Sequence, residues 1–444
     1  MTPRYSGEPP SGSERGNERG SEHSTTVLEG MHVHQAPAGG LRITSDLLST
    51  HVLFLGGIGS GKTNAMKHLL RQLRSKNGPD DVFVIFDTKG DFQRNFYRPG
   101  DVVISSSPAA EEGGRVWNLF RDLPGDPRQR EEETYEIAST IFSEDLDQAG
   151  ENMFFAAAAR DIFAGITEIM AAGDLPPEPG HEYSNRELRE TLESDSATLY
   201  ELLQRRDTLA GTARYLQGGD YVDSILAFLQ ITLRKSFSGV FREPGDFSVR
   251  EFIRRRGGHA LFIEYDIAAG ASLVPVYRVL MDIAIKEALG FGRRRLRDNK
   301  QVPDNFYFVL DEFALLPKLT HISDGINFGR ELGLKFLVAT QNVNQVLHGY
   351  SAEMGQSILA GFGSVFAFRL VDEASRELLR QRYGTNRKQI STYAAVRHEG
   401  VRQTVVTGNV IEDWHMSGLS KGQCIAALPQ EPPFFLQFGK FETP

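Results

Sequence analysis

Gly56-Gly57-Ile58-Gly59-Ser60-Gly61-Lys62-Thr63 is the stretch that decides the fold of this 444-residue chain. It fits the phosphate-binding pattern G-x-x-x-x-G-K-[ST] in full. His51-Val52-Leu53-Phe54-Leu55 before it reads as a short buried strand. Asn64-Ala65-Met66-Lys67-His68-Leu69-Leu70 after it has helical spacing, with Leu69 and Leu70 returning to the face of Met66. Strand, Gly-rich loop and helix is the context the pattern requires. The glycines let successive backbone N–H groups turn inward around a phosphate, and the helix N-terminus adds partial positive charge. On this reading Gly57, Ile58, Gly59, Ser60, Gly61, Lys62, Thr63 and Asn64 bind a nucleotide. Lys62 reaches the β- and γ-phosphates, and the Thr63 hydroxyl ligates Mg²⁺. A generic turn does not need Lys-Thr after its last glycine, and the same pair argues against a dinucleotide fold.

Composition sets the outer limits. Forty per cent hydrophobic residues suffices for a sizeable core, and 24% charged residues is ordinary for a globular chain. A net charge of −9 means that any contact with nucleic acid has to come from a local basic lining. The single Cys424 excludes an internal disulfide framework and fits a reducing compartment. No uninterrupted apolar run is long enough to span a bilayer, and the N-terminus lacks the apolar core of a signal peptide. The expectation is a cytoplasmic protein without direct membrane insertion.

Outward from the phosphate loop, the chain divides into four parts. Residues 1–26 are rich in Ser, Gly, Glu, Arg and Pro and are expected to be disordered. Residues 27–125 form the first part of a nucleotide-binding domain. Its strands include Asp81-Val82-Phe83-Val84-Ile85-Phe86-Asp87 and Asp101-Val102-Val103-Ile104-Ser105. Residues 126–245 carry apolar residues at helical spacing and no convincing strand, so an all-α domain is inserted there. Ser184-Asn185-Arg186-Glu187 reads as a helix start, and residues 176–180 read as a Pro-rich loop. Residues 246–444 return to alternating strands and helices. A long helix is expected over about 273–290 and another helix over 322–331, with strands at Ala260-Leu261-Phe262-Ile263-Glu264-Tyr265, Phe306-Tyr307-Phe308-Val309-Leu310, Lys335-Phe336-Leu337-Val338-Ala339-Thr340, 364–369 and 425–428. The pattern predicts an α/β fold with a doubly wound, mostly parallel sheet. Ligands bind such sheets beyond the carboxyl ends of the strands, where the phosphate loop, Asp311 and Gln341 all fall.

Asp311-Glu312, after an apolar strand, completes the chemistry. Asp311 is placed to hold Mg²⁺ opposite Thr63, and Glu312 to orient and deprotonate water as a general base. Gln341, after the next strand, can sense the γ-phosphate or the lytic water. Asp87-Thr88-Lys89-Gly90-Asp91 contains the Thr-Lys-x-Asp pattern that specifies guanine in GTPases, but it comes too soon after the phosphate loop for that role. Arg330, taken alone, reads as a solvent-facing helix residue paired with Glu331 or Asp324. The runs Arg254-Arg255-Arg256 and Arg293-Arg294-Arg295-Leu296-Arg297 are either phosphate contacts or solvated helix ends.

At Gly56–Thr63, Asp87-Thr88-Lys89-Gly90-Asp91-Phe92, Leu310-Asp311-Glu312-Phe313-Ala314-Leu315-Leu316-Pro317-Lys318-Leu319, Gly329-Arg330-Glu331-Leu332-Gly333-Leu334 and Ala339-Thr340-Gln341, the chain resembles the TraG/TraD-type conjugative coupling proteins of type IV secretion systems. These lie within the FtsK/HerA superfamily of P-loop DNA motors. The likeness covers most of the chain from about residue 40 onward. It implies a RecA-like ATPase that forms a homo-hexameric ring, with ATP and Mg²⁺ at subunit interfaces and DNA in the central channel. It turns Arg330 into a trans-acting arginine finger and assigns Gln341 to the coupling of hydrolysis to motion. It also implies a relaxase and a membrane-anchored secretion component as partners. Family members usually begin with transmembrane helices, and this chain begins with a polar tail. Two readings of that departure stand: a separate membrane partner supplies the anchor, or the protein serves plasmid mobilisation or phage defence. An ATP-gated adaptor that recruits a relaxase–DNA complex without pumping is the alternative to a motor.

Overall fold

The computed structural model describes residues 26–28, 30–32, 41–106, 112–175, 182–219, 221–267, 270–298, 305–392 and 402–442. The expected disordered tail, apart from Thr26, and the Pro-rich loop at 176–180 lie outside them. The strands are β1 (Thr26–Leu28), β2 (Gly30–His32), β3 (Leu41–Ile43), β4 (Val52–Leu55), β5 (Val82–Asp87), β6 (Val102–Ile104), β7 (Ala260–Glu264), β8 (Phe306–Leu310), β9 (Leu334–Thr340), β10 (Ser364–Ala367), β11 (Thr385–Thr392), β12 (Arg402–Asn409), β13 (Gln423–Ala427) and β14 (Phe434–Phe438).

Ten of these strands make one sheet in the order β2-β14-β13-β10-β4-β9-β8-β5-β7-β6. From β10 to β6 every neighbouring pair is parallel. An antiparallel edge of β13, β14 and β2 extends the other side. The central strands are buried on both faces, which is why they read as continuous apolar runs. Their side chains alternate between two cores. Val52 and Phe54 face the layer that holds Met66, Leu69 and Leu70 of helix Lys62–Lys76. Leu53 and Leu55 face the layer of the long helix Gly270–Arg297 and the inserted helices.

Between β6 and β7 the described residues form helices and two isolated β-bridges but no strand, the helices including Pro127–Ile141, Met153–Ala172, Asn185–Leu192 and Val222–Ser236. Ser184 opens helix Asn185–Leu192 with a capping box closed by Glu187. The long helix runs past its expected limits at both ends, and at its far end Arg294 pairs with Glu287 about two turns earlier (2.8 Å). The helix expected over 322–331 ends at Phe328. Gly329 lies so close to Gly325 that an added Cβ would stand 2.0 Å from the Gly325 carbonyl oxygen, and Gly333 takes φ 86°. Arg330 therefore sits on a turn, not on a helix. Strands β11 and β12 pair only with each other among the described residues, and their polar sequence hid them. Among the described residues no helix is long and apolar enough to cross a membrane.

Candidate nucleotide site

The loop after β4 is built by close backbone approaches. Gly61 takes φ 119°, and a Cβ there would stand 2.9 Å from the Gly422 Cα. Gly422 N–H donates to Ser60 O (2.8 Å), Gly57 N–H to Arg369 O (3.2 Å) and Gly56 N–H to Thr340 O (3.3 Å). The ends of β9 and β10 and the turn before β13 thus brace the loop. Lys62, the first residue of its helix, donates from Nζ to Gly56 O (2.5 Å) and Gly57 O (3.2 Å). Burial holds its pKa below the ordinary lysine value, against the pull of Glu312 and Asp311. Among the described residues Ser60 Oγ, which is buried, has no hydrogen-bond partner. Asn64 does something its position in the sequence did not suggest. Its Nδ2 donates to Gly439 O and its Oδ1 accepts from Phe441 N–H, both at 2.8 Å, clipping the chain after β14 onto the phosphate-loop helix.

Opposite the loop stand the tips of β8, β5 and β9. Asp311 accepts from Thr63 Oγ1 at 2.8 Å and from Thr88 Oγ1 at 3.0 Å. Glu312 Oε2 accepts from Gln341 Nε2 at 2.8 Å, because β8 and β9 are parallel neighbours whose carboxyl ends lie side by side. Glu312 Oε1 is buried and has no hydrogen-bond partner among the described residues. Burial pushes the Glu312 pKa up, against the Gln341 hydrogen bond and the Lys62 charge. Asn342 caps the helix that follows, accepting from Gln345 N–H at 3.0 Å.

Thr88 is the residue that sequence reasoning missed. Asp87 beside it accepts four backbone N–H groups, from Lys89, Asp91, Phe92 and Gln93 (2.8–3.3 Å), which orders the turn that presents Thr88. Burial raises the Asp87 pKa against those bonds. The signal was a polar residue at a strand tip inside a block already singled out.

Ile58, Gly59, Ser60, Gly61, Lys62, Thr63, Asn64, Asp311, Glu312 and Gln341 all line one cleft of about 500 Å³, which Gly57 does not reach. A second cleft of about 880 Å³ adjoins it at Gly61, Thr63 and Asn64, with Arg94, Lys440 and Phe441 on its walls. Arg330 is exposed and lines neither. It opens on a separate cleft of about 740 Å³ beside Arg293, Asp324 and Phe328. Among the described residues it makes no ion pair, so the pairing expected with Glu331 or Asp324 is absent there. The two arginine runs are largely engaged within the fold. Arg254 binds Glu287 through two bonds (2.9 and 3.1 Å), and Arg256 pairs with Asp80 (3.0 Å) and lies 4.5 Å from the Phe291 ring centroid.

A parallel sheet with a phosphate loop at its centre, faced by an acidic strand tip and a glutamine, defines an α/β P-loop NTPase of RecA type. The chain matches the profile of the type IV secretion-system coupling protein DNA-binding domain over residues 35–408 and belongs to that family. It is 23% identical over 425 residues to coupling protein TraD of Escherichia coli (strain K12), covering 91% of this chain and 54% of that relative. The chain thus spans about half the length of that relative. The bacterial conjugative coupling protein TrwB in its unbound monoclinic form has a similar fold (TM-score 0.72, 18% identity, 91% of this chain and 88% of that one). TrwB in complex with the non-hydrolysable ATP analogue ADPNP gives the same score at 18% identity, covering 96% and 91%. VirB4 of Thermoanaerobacter pseudethanolicus is more distant (TM-score 0.56, 14% identity, 94% and 97%).

Proposed function

We propose that this chain hydrolyses ATP at interfaces between copies of itself in a hexameric ring and uses the energy to move DNA through the centre. One observation carries the reading: Lys62, Thr63, Asp311, Glu312 and Gln341 converge on one cleft, while Arg330 opens on another. TrwB has been captured with ADPNP and with ADP and Mg²⁺, and the family is named for DNA binding. The division into residues 1–26, 27–125, 126–245 and 246–444 is proposed with it, the all-α part being the surface that meets partners.

The residues suit a nucleotide with Mg²⁺. Ser60 Oγ and Glu312 Oε1 are buried polar atoms beside the loop that lack partners among the described residues. Among the described residues no group of three or more His, Cys, Asp or Glu side chains can hold a metal, so the ion fits only where phosphate oxygens and water complete its shell. Mg²⁺, when bound, would neutralise charge on the β- and γ-phosphates. Thr63 and Asp311 would hold it, with Thr88 orienting the Asp311 carboxylate. Lys62 exchanges its bonds to Gly56 O and Gly57 O for phosphate oxygens. Glu312 takes a proton from the attacking water at Oε1, and Gln341 fixes the carboxylate through Oε2. Arg330 of a neighbouring copy stabilises charge on the transferring phosphoryl group, a contribution of roughly 10³–10⁵ in rate.

The test is ATP turnover by purified protein with single- and double-stranded DNA. Arg330→Ala and Glu312→Gln are each expected to bind ATP and not hydrolyse it. Mixed rings of the two should regain part of the turnover, and none regained in demonstrably mixed rings refutes action in trans. Turnover without triplex displacement would favour the ATP-gated adaptor.

A further inference from the structure

The segment that leads from β8 to Arg330 is tied down along its length. Tyr350 Oη donates to Leu316 O (3.1 Å) and accepts from Leu319 N–H (3.3 Å). Lys318, held at φ 63°, forms an ion pair with Asp147. Asp282 of the long helix accepts Thr320 N–H at 3.0 Å and His321 N–H at 3.1 Å. Helix Ile322–Phe328 follows, and His51 Nε2 donates to Ile326 O near its far end (3.0 Å). At a rise of about 1.5 Å per residue this helix is a rigid rod roughly 10 Å long. It is fixed at both ends, with Arg330 just past the second.

Two of the ties come from the all-α insertion, through Asp147 on helix Ser143–Gln148 and Glu136 on helix Pro127–Ile141. The Glu136 carboxylate takes a hydrogen bond from the His321 ring and another from Lys286 (2.5 Å), and Lys286 also pairs with Glu133 (2.8 Å). The charged groups that face His321 are Glu136 from the insertion and Asp282 and Lys286 from the long helix. Burial works against a charged His321 ring, but Glu136 and Asp282 outweigh it and hold the pKa above the ordinary histidine value. Burial also opposes the Glu136 charge, yet the His321 and Lys286 bonds bring its pKa down to about 2. The contact is a charge-assisted pair, largely sheltered from solvent, at the junction of the insertion and the Arg330 arm.

We propose that Glu136 and His321 are positioning residues for Arg330, through which the all-α insertion governs whether one copy completes its neighbour's site. The proposal rests on Arg330 acting in trans. It makes the insertion an input to hydrolysis: a partner or DNA that pulls on helix Pro127–Ile141 moves the arm, and the neighbouring site loses or gains its arginine. The sign with pH follows from the raised His321 pKa. The pair is intact at low pH and is lost as pH rises through that pKa.

The experiment compares Glu136→Gln and His321→Arg with wild type and Arg330→Ala, measuring kcat, KM, nucleotide affinity and the pH profile. A misplacement of about 1 Å costs on the order of 10² in rate, so Glu136→Gln is expected to lower kcat roughly 10–100-fold. KM and nucleotide affinity should stay near wild type, and Glu136→Asp should restore part of the rate. The alkaline decline of kcat should move to lower pH in Glu136→Gln and flatten in His321→Arg, whose charge is fixed. If Arg330→Ala turns over like wild type, the arginine-finger reading fails first. If Arg330→Ala is inactive while Glu136→Gln keeps wild-type kcat and pH profile, only the positioning role is overturned. A Glu136→Gln protein too unstable to assay leaves the decision to His321→Arg, where an unchanged alkaline limb overturns the proposal.

Discussion

Thr88→Val deletes one hydroxyl at nearly constant volume and tests how the acidic strand tip is oriented. Thr88 and Asp311 are 6% and 5% exposed, and their hydrogen bond is 3.0 Å long. A hydrogen bond to a charged acceptor contributes about 1.5–3 kcal/mol. At about 1.4 kcal/mol per tenfold, that is roughly 10–150-fold in an equilibrium constant. Side chains that orient a metal's ligands cost on the order of 10–100-fold in metal affinity or activity when removed. The two routes agree, so half-maximal ATPase activity should need roughly 10–100 times more Mg²⁺ in the variant. The assay is a Mg²⁺ titration of turnover at saturating ATP, paired with nucleotide binding in chelator, where variant and wild type should match. Turnover within a factor of two at limiting Mg²⁺ would refute the orienting role. Tighter Mg²⁺ dependence would refute it differently, by making the Thr88 bond a competitor of the ion.

Three further outcomes are expected. Burial pushes the His51 pKa down to about 4, from 6.5, so the unfolded chain binds the extra proton first and stability falls as pH drops between those values. At about 1.36 kcal/mol per pH unit the loss totals about 3 kcal/mol, and urea midpoints from pH 7 to 4.5 should fall in wild type but stay flatter in His51→Phe. Gly292→Ala puts a Cβ 2.5 Å from Leu332 O, next to the turn that carries Arg330. Its kcat should drop several-fold while nucleotide affinity holds, and an unchanged kcat would show that the turn tolerates displacement. Asp101→Asn leaves the Arg74 guanidinium, 1% exposed like its partner, without its counter-charge. Breaking a buried pair this way costs about 3–5 kcal/mol, which thermal melting should reveal.

The parts legible in the sequence were those whose reason is local. Gly56–Thr63 needs its glycines for its own backbone, and the runs at Val82–Asp87 and Phe306–Leu310 are apolar because both faces of those strands are covered. What escaped depends on contacts distant in sequence. Thr88 meets Asp311 across 223 residues because β5 pairs with β8. Arg254 and Arg294 left a choice between phosphate contacts and solvated helix ends, and neither reading foresaw that both pair with Glu287. Arg330 looked helical because Gly329 carries no sign of its contact with Gly325. Strand β14 was lost behind Pro432-Pro433, and its role became visible only when Asn64 held the following residues to the phosphate-loop helix.

The position of β4 has a consequence for how the chain is made. Its two neighbours in the sheet are β9 and β10, which pair with it through Leu337–Thr340 and Ser364–Ala367. Both leave the ribosome some 280 residues or more after Val52, since 337 − 52 = 285. Strand β5 likewise pairs with β7 across the whole insertion, Phe83 against Ala260. Pairings so far apart in sequence close late and slowly, after the local helices have formed. The inserted helices can therefore fold during translation while the phosphate loop, last to be bracketed, waits for the far end of the sheet. A chain that stops before Thr340 carries the loop's residues without the β9 and β10 walls, so the capacity to grip a nucleotide comes only after those strands are made.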